Sequence, residues 1–197
     1  MQQLNECLMV GPVVQSGMLS MLFRARCYIY LFSADITKMY RQIFVDDKDT
    51  SFQRILWRSS PTEPIKHYEL TTVTFGVSSS PYLATRCFKR LAEDEGHKYP
   101  DAKNVLLQDF YVDDVLTGSN SLEQTIVIRG QLTQLLASAG FPLTKWCSNS
   151  EQVLEDVSKE AREKTFELSD GDEFIIKTLG VFWFPAEDNF KFLVRED

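Results

Sequence analysis

The chain has 197 residues, enough for one substantial domain or two small ones, and its 44% hydrophobic and 12% aromatic content excludes global disorder. No apolar run approaches the roughly 20 residues that span a bilayer, and no basic start leads into an apolar stretch, so neither a membrane span nor a secretion signal is expected. The net charge of −7 is uneven: residues 1–100 hold 12 Lys and Arg against 10 Asp and Glu, and residues 101–197 hold 9 against 18. The broad basic footprint of a nucleic-acid binder is therefore absent, and only clusters such as Arg24/Arg26, Arg54/Arg58 and Arg86/Lys89/Arg90 carry basic character.

In chain order, residues 13–23 show helical apolar spacing, with Ser16 and Ser20 on one side and Gly17 inside. Residues 27–36 are rich in aromatic and β-branched side chains and predict a strand closing at Asp35, followed by a short helical turn over 37–42. Residues 52–57 and 66–73 read as strands around a Ser/Pro-rich loop. Gly76 to Ser80 forms a small-residue loop. Ser80 as N-cap and Pro81 in the first turn then open a helix to about Glu95. Residues 105–112 predict a strand, and 115–117 its hairpin return. Ser121-Leu122-Glu123-Gln124 is a capping box opening a helix to about Ala139, closed by Gly140. Residues 143–146 read as a short strand, 151–164 as a polar, solvated helix, and 173–184 with 190–194 as a terminal strand pair. Strands and helices mix without a βαβ rhythm, so the expected class is α+β with a mainly antiparallel sheet. The four cysteines show no CxxC pairing, which suits small buried hydrophobes in a reducing compartment.

Asp113 and Asp114 stand in the run Phe-Tyr-Val-Asp-Asp-Val-Leu, with no Lys or Arg close by in sequence. A buried, unpaired carboxylate is costly. A solvated hairpin turn or a bound divalent cation would each resolve that cost. Asp35 is a second acid stranded in apolar sequence, which could also simply cap the turn after it. If the two acidic strands meet on one sheet, their three carboxylates suffice for two divalent ions in phosphoryl transfer.

The wording of several segments resembles reverse transcriptases. Tyr111-Val112-Asp113-Asp114 matches their YxDD box, and Asp35-Ile36-Thr37-Lys38-Met39-Tyr40 resembles their first motif. Phe75-Gly76-Val77-Ser78-Ser79-Ser80-Pro81 resembles the glycine loop that leads into a helix. Gly140 to Trp146 resembles the next motif with its lysine, and Leu179-Gly180-Val181 the hairpin that grips the primer. The boxes keep the family order, and their wording looks closest to the BEL/Pao class of LTR retrotransposons.

The resemblance implies a right-hand polymerase fold, with palm and partial fingers over 1–185 and the start of a following region over 186–197. It implies that Asp35, Asp113 and Asp114 bind two magnesium ions, with manganese as the substitute, and that the Ile36 carbonyl faces a metal. Tyr40 would exclude a 2′-hydroxyl. Phe75, Gly76, Ser80 and Tyr111 would lie near the nucleotide, Lys145 would protonate the leaving pyrophosphate, and Leu179, Gly180 and Val181 would hold the primer terminus. Implied partners are an RNA or DNA template-primer, a dNTP, and the RNase H, integrase and protease regions of a Pol polyprotein, in the cytoplasm or in virus-like particles and without a membrane. Phe75 departs from the glutamine of retroviral enzymes. A basic fingertip is expected ahead of Met1, and a thumb and RNase H region after Asp197. Two alternatives remain: an inactive or domesticated retroelement fragment acting as a nucleic-acid-binding or interaction module, and a two-metal nuclease, which leaves Tyr40 and the Gly76 loop unexplained.

Overall fold

The computed structural model describes residues 4–163, 176–178 and 181–191. It is α+β, and the chain divides into two compact units, one of residues 1–14 and 38–87, the other of residues 15–37 and 88–197.

The first unit holds a short helix α1 (Leu4–Cys7) and a hairpin of strands β2 (Arg54–Trp57) and β3 (Lys66–Glu69), paired antiparallel from Arg54 opposite Glu69 to Trp57 opposite Lys66. Every residue of these two strands is exposed. Two 3₁₀ turns, Met39–Gln42 and Asp47–Phe52, precede the hairpin, the second capped by Asp46 accepting from the Lys48 N–H. The expected strand over 66–73 ends at Glu69; beyond it only a single bridge, Phe44 to Thr72, continues the pairing.

The second unit is built on a four-stranded antiparallel sheet in the order β4-β5-β1-β6, with β1 Tyr30–Ile36, β4 Phe110–Tyr111, β5 Asp114–Ser119 and β6 Leu143–Ser148. Alternation along β1 puts Leu31, Ser33 and Asp35 on one face and Phe32, Ala34 and Ile36 on the other. On the Leu31 face, helix α2 (Met18–Ala25) buries Met21 and Ala25 in a core with Leu31, Leu116, Cys147 and Trp183. Trp183 comes from a second antiparallel sheet, β7 (Ile176–Thr178), β8 (Val181–Phe184) and β9 (Asn189–Lys191). Residues 173–175, 179–180 and 192–194 of the expected terminal strands lie outside the described residues.

Helix α3 (Ser80–Asp94) begins in the first unit and ends in the second, where Phe88 meets Phe110 at 5.5 Å and Phe141 at 5.4 Å between ring centroids. Helix α5 (Leu122–Ser138) starts as its capping box predicts, with the Ser121 hydroxyl accepting from the Gln124 N–H. Gly140 lies one residue past the C-cap at φ +77°, the left-handed position that glycine adopts without a Cβ penalty.

Four expectations need correction. The segment predicted as a strand over 105–112 is mostly helix α4 (Pro100–Gln108), and β4 has only Phe110 and Tyr111. A short apolar run such as Val105-Leu106-Leu107 fits a buried helix as well as a strand. The polar helix expected over 151–164 is two 3₁₀ turns, Glu151–Leu154 and Lys159–Ala161, and Val153 and Leu154 are buried rather than solvated. Arg162 donates to the carbonyls of Val157 and Leu154, and the Leu154 carbonyl also accepts from the Val157 N–H, the i+3 bond of a tight turn rather than the i+4 bond of an α-helix. The first helix starts later than expected because Gly17 is its N-cap, not an interior residue. Ser80 is the first residue of α3 rather than its cap, and its hydroxyl donates back to the Thr74 carbonyl at 2.6 Å.

Candidate active site

Strand pairing brings the two acidic segments together. Asp35 lies directly opposite Asp114 in the β1–β5 register, and Asp113 adjoins it in the turn between β4 and β5. Directly opposed residues of an antiparallel pair project to the same face. The Ile36 N–H donates to the Asp113 carbonyl at 2.9 Å, which ties the turn's backbone to the end of β1. The turn is tight at Val112, whose φ of +56° is the left-handed region. A β-branched residue there costs roughly 1–2 kcal/mol, so the surrounding structure must hold it.

Charge accumulates at this end of the sheet. Asp114 is pushed up to about 6, first by burial and then by repulsion from Asp113 and Asp35, against partial relief from Lys145. Asp113 is also raised, again mainly by burial, with Asp35 adding repulsion. Asp113 and Asp114 are thus each disfavoured as anions by burial and by the neighbouring carboxylates.

Among the described residues, a lysine meets them. Lys145 Nζ donates to Asp35 Oδ2 at 2.8 Å. The geometry that delivers it is a bulge. Ser33 faces Cys147 and Asp35 faces Thr144, so β6 spends one residue more than β1 over this step. Lys145 lies within that step at φ +53°, and a bulge with a left-handed residue re-aims the chain locally. The ion pair holds the ammonium in its charged form and raises the Lys145 pKa, chiefly through the hydrogen bond to Asp35.

Hard carboxylate oxygens whose mutual repulsion Lys145 relieves only in part fit a divalent cation in donor type and in charge. Among the described residues, however, no three His, Cys, Asp or Glu side chains are already gathered into a metal cage. Asp35 instead holds Lys145.

The other predicted residues fall as follows. Tyr111 begins the turn opposite Asp114 and is exposed. Val181 opens β8 and is buried, whereas Leu179 and Gly180 lie outside the described residues. In the first unit, Tyr40 and Phe75 pack edge to face with centroids 4.8 Å apart. Tyr40 is nearly buried and Phe75 is 60% exposed. Gly76 has φ +80° and open space where a Cβ would project, and its carbonyl accepts from the Asn5 side chain at 2.9 Å.

Two residues around the turn escaped sequence reasoning. Gln15 accepts from the Val112 N–H at 3.0 Å. Asp109, the C-cap of α4, is buried and accepts from Arg24 Nε at 2.8 Å and from the Thr117 hydroxyl at 2.7 Å. Gln15 leaves no signature in the sequence. An acid just ahead of an apolar strand was a usable signal for Asp109, which the strand expected over 105–112 concealed.

Among the solved structures similar to this chain, two each have a TM-score of 0.56 over 89% of it. One is the foamy viral protease-reverse transcriptase with an RNA/DNA hybrid, at 15% identity, and the other is its dRH form with double-stranded DNA, at 16%. At this identity the likeness shows the fold, and the chain spans 19% and 24% of those chains. No curated protein matches. The family model for reverse transcriptase (RNA-dependent DNA polymerase) matches residues 1–170, and with most of its length so covered the chain belongs to the reverse transcriptase family.

Proposed function

We propose that this chain is the palm, with part of the fingers, of a polymerase that extends a DNA primer on an RNA or DNA template. The primer 3′-hydroxyl attacks the α-phosphate of a dNTP and pyrophosphate leaves. The observation that carries this reading is Asp35 in register with Asp114, with Asp113 beside it and with more negative charge than local cations neutralise.

Asp35, Asp113 and Asp114, with the Ile36 carbonyl, would hold two divalent ions, magnesium or manganese. Such ions, when bound, acidify the attacking hydroxyl and neutralise charge on the phosphoryl and leaving groups. Lys145 stays protonated at neutral pH because Asp35 holds it so, and it would donate its proton to the departing pyrophosphate. Tyr40, braced by the Phe75 ring, would meet the sugar and reject a 2′-hydroxyl by its bulk. Gly76, with open space where a Cβ would stand, would let a nucleotide approach the backbone, and Ser80 fixes that loop through Thr74. Tyr111 lies at the mouth of the turn, and Leu179, Gly180 and Val181 grip the primer terminus. The wording of the motifs assigns the chain to a BEL/Pao-type Pol polyprotein with RNase H, integrase and protease regions, working in the cytoplasm or in virus-like particles.

A second reading, an inactive retroelement module that binds nucleic acid or a protein, draws on Lys145 occupying Asp35 and on the lack of a ready cage among the described residues. Primer extension with magnesium separates the two. The polymerase reading expects extension that collapses in Asp113→Asn; extension that survives this change refutes the metal assignment, and none in the parent chain favours the module.

A further inference from the structure

The turn that carries Asp113 and Asp114 joins the short β4–β5 pairing and is strained at Val112. Beside the Ile36 N–H that meets the Asp113 carbonyl, two side-chain attachments reach the turn from one stretch of chain. Gln15, in the lead-in to α2, accepts from the Val112 N–H at the tip. Arg24, in the last turn of α2, binds Asp109 and the Gln108 carbonyl at the root. Asp109 in turn receives the Thr117 hydroxyl, and its carbonyl accepts from the Leu116 N–H, so the root is tied to β5 as well. Helix α2 is itself fixed, because Met21 and Ala25 are fully buried against Leu31 and Leu116.

We propose that α2 and its lead-in act as a splint for the Tyr111–Asp114 turn, with Gln15 as the positioning residue that sets where Asp113 and Asp114 stand. Gln15 is an unusual choice if packing were its only task. Its Nε2 is buried without a hydrogen-bond partner among the described residues, a cost that Leu or Met in the same space would avoid. The acceptor oxygen is what the position requires. Without it, the Val112 N–H loses its partner, and the left-handed turn can relax towards an ordinary one, carrying both carboxylates away from Asp35.

The functional half of this inference rests on the metal reading above, so the test separates the two. Amide exchange at Val112, side-chain carboxyl carbon resonances of Asp113 and Asp114, and Mn²⁺ affinity are compared in the parent chain, Gln15→Met and Gln15→Glu. Gln15→Met keeps length and removes the acceptor; it should speed Val112 exchange and weaken Mn²⁺ binding, each by about fivefold, the effect of one hydrogen bond. Both carboxyl resonances should move while Tm stays within about 2 °C of the parent, since little packing is lost. Gln15→Glu restores an acceptor and should restore Val112 protection. Unchanged exchange in Gln15→Met, or released exchange with unmoved carboxyl resonances, overturns the splint. If the parent chain binds no Mn²⁺, the metal reading falls, and the exchange and resonance shifts still decide the splint.

Discussion

The root and the tip of one hairpin carry acids that the fold treats in opposite ways. At the root, Asp109 is buried and fully met: Arg24 supplies charge and Thr117 supplies a hydroxyl. At the tip, Asp113 and Asp114 are partly buried and repel each other and Asp35, and the Lys145 ammonium is bound to Asp35. A carboxylate kept for stability is given its partners. One left short of them stores an unfavourable charge that an incoming cation would relieve. On the proposed metal reading, this contrast is what separates a structural acid from functional ones.

The largest expected effects set root against tip. Asp113→Asn should cost primer extension about a thousandfold, the scale of losing a principal charge-stabilising group, with Tm unchanged or raised. Asp109→Asn should do the reverse in the first instance. It leaves Arg24 without its charge partner, costing about 3 kcal/mol and lowering Tm by about 9 °C. Equal Tm losses at the two positions would erase the distinction.

The pH response is the next largest effect. Asp114 has its carboxyl raised to about 6 in the folded protein, above its ordinary value of 3.8. The folded state therefore holds its proton more tightly than the unfolded state. The resulting stability is complete below the ordinary value and is lost as pH rises through about 6. Without divalent ions, unfolding free energy should fall by about 2 kcal/mol between pH 4 and pH 7, followed by denaturant titration. Asp114→Asn should flatten that slope and leave the metal-free chain about 1–2 kcal/mol more stable at pH 8. A steeper slope in the variant would mean that another group dominates. The smallest effect belongs to Lys145→Met: its ion pair is 58% exposed on the lysine side. Stability should change by less than about 1 kcal/mol, measured in the same titration.

Much of this arrangement was legible in the sequence. The strand before Asp35 is rich in aromatic and β-branched residues, the Ser121 capping box fixes where α5 begins, and the acid pair stands out because apolar neighbours make charge expensive. What was not legible depends on long-range pairing. The Lys145 ammonium reaches Asp35 because β6 bulges, and nothing local to Lys145 announces a left-handed residue. Gln15 meets Val112 across a gap of 97 residues. Helix α4 was missed for a different reason. Pro100 and Asp101 in its first turn are good helix-start signals, but the apolar run after them also suits a strand.

The central claim is that the three carboxylates form a divalent-cation site, and counting bound Mn²⁺ by electron paramagnetic resonance tests it most directly. The parent chain should bind Mn²⁺ near pH 8, lose it as pH falls below about 6, and lose it at pH 8 in Asp113→Asn, because protonating or neutralising these ligands removes the charge that holds the ion. Undiminished Mn²⁺ binding in Asp113→Asn and Asp114→Asn alike would contradict it.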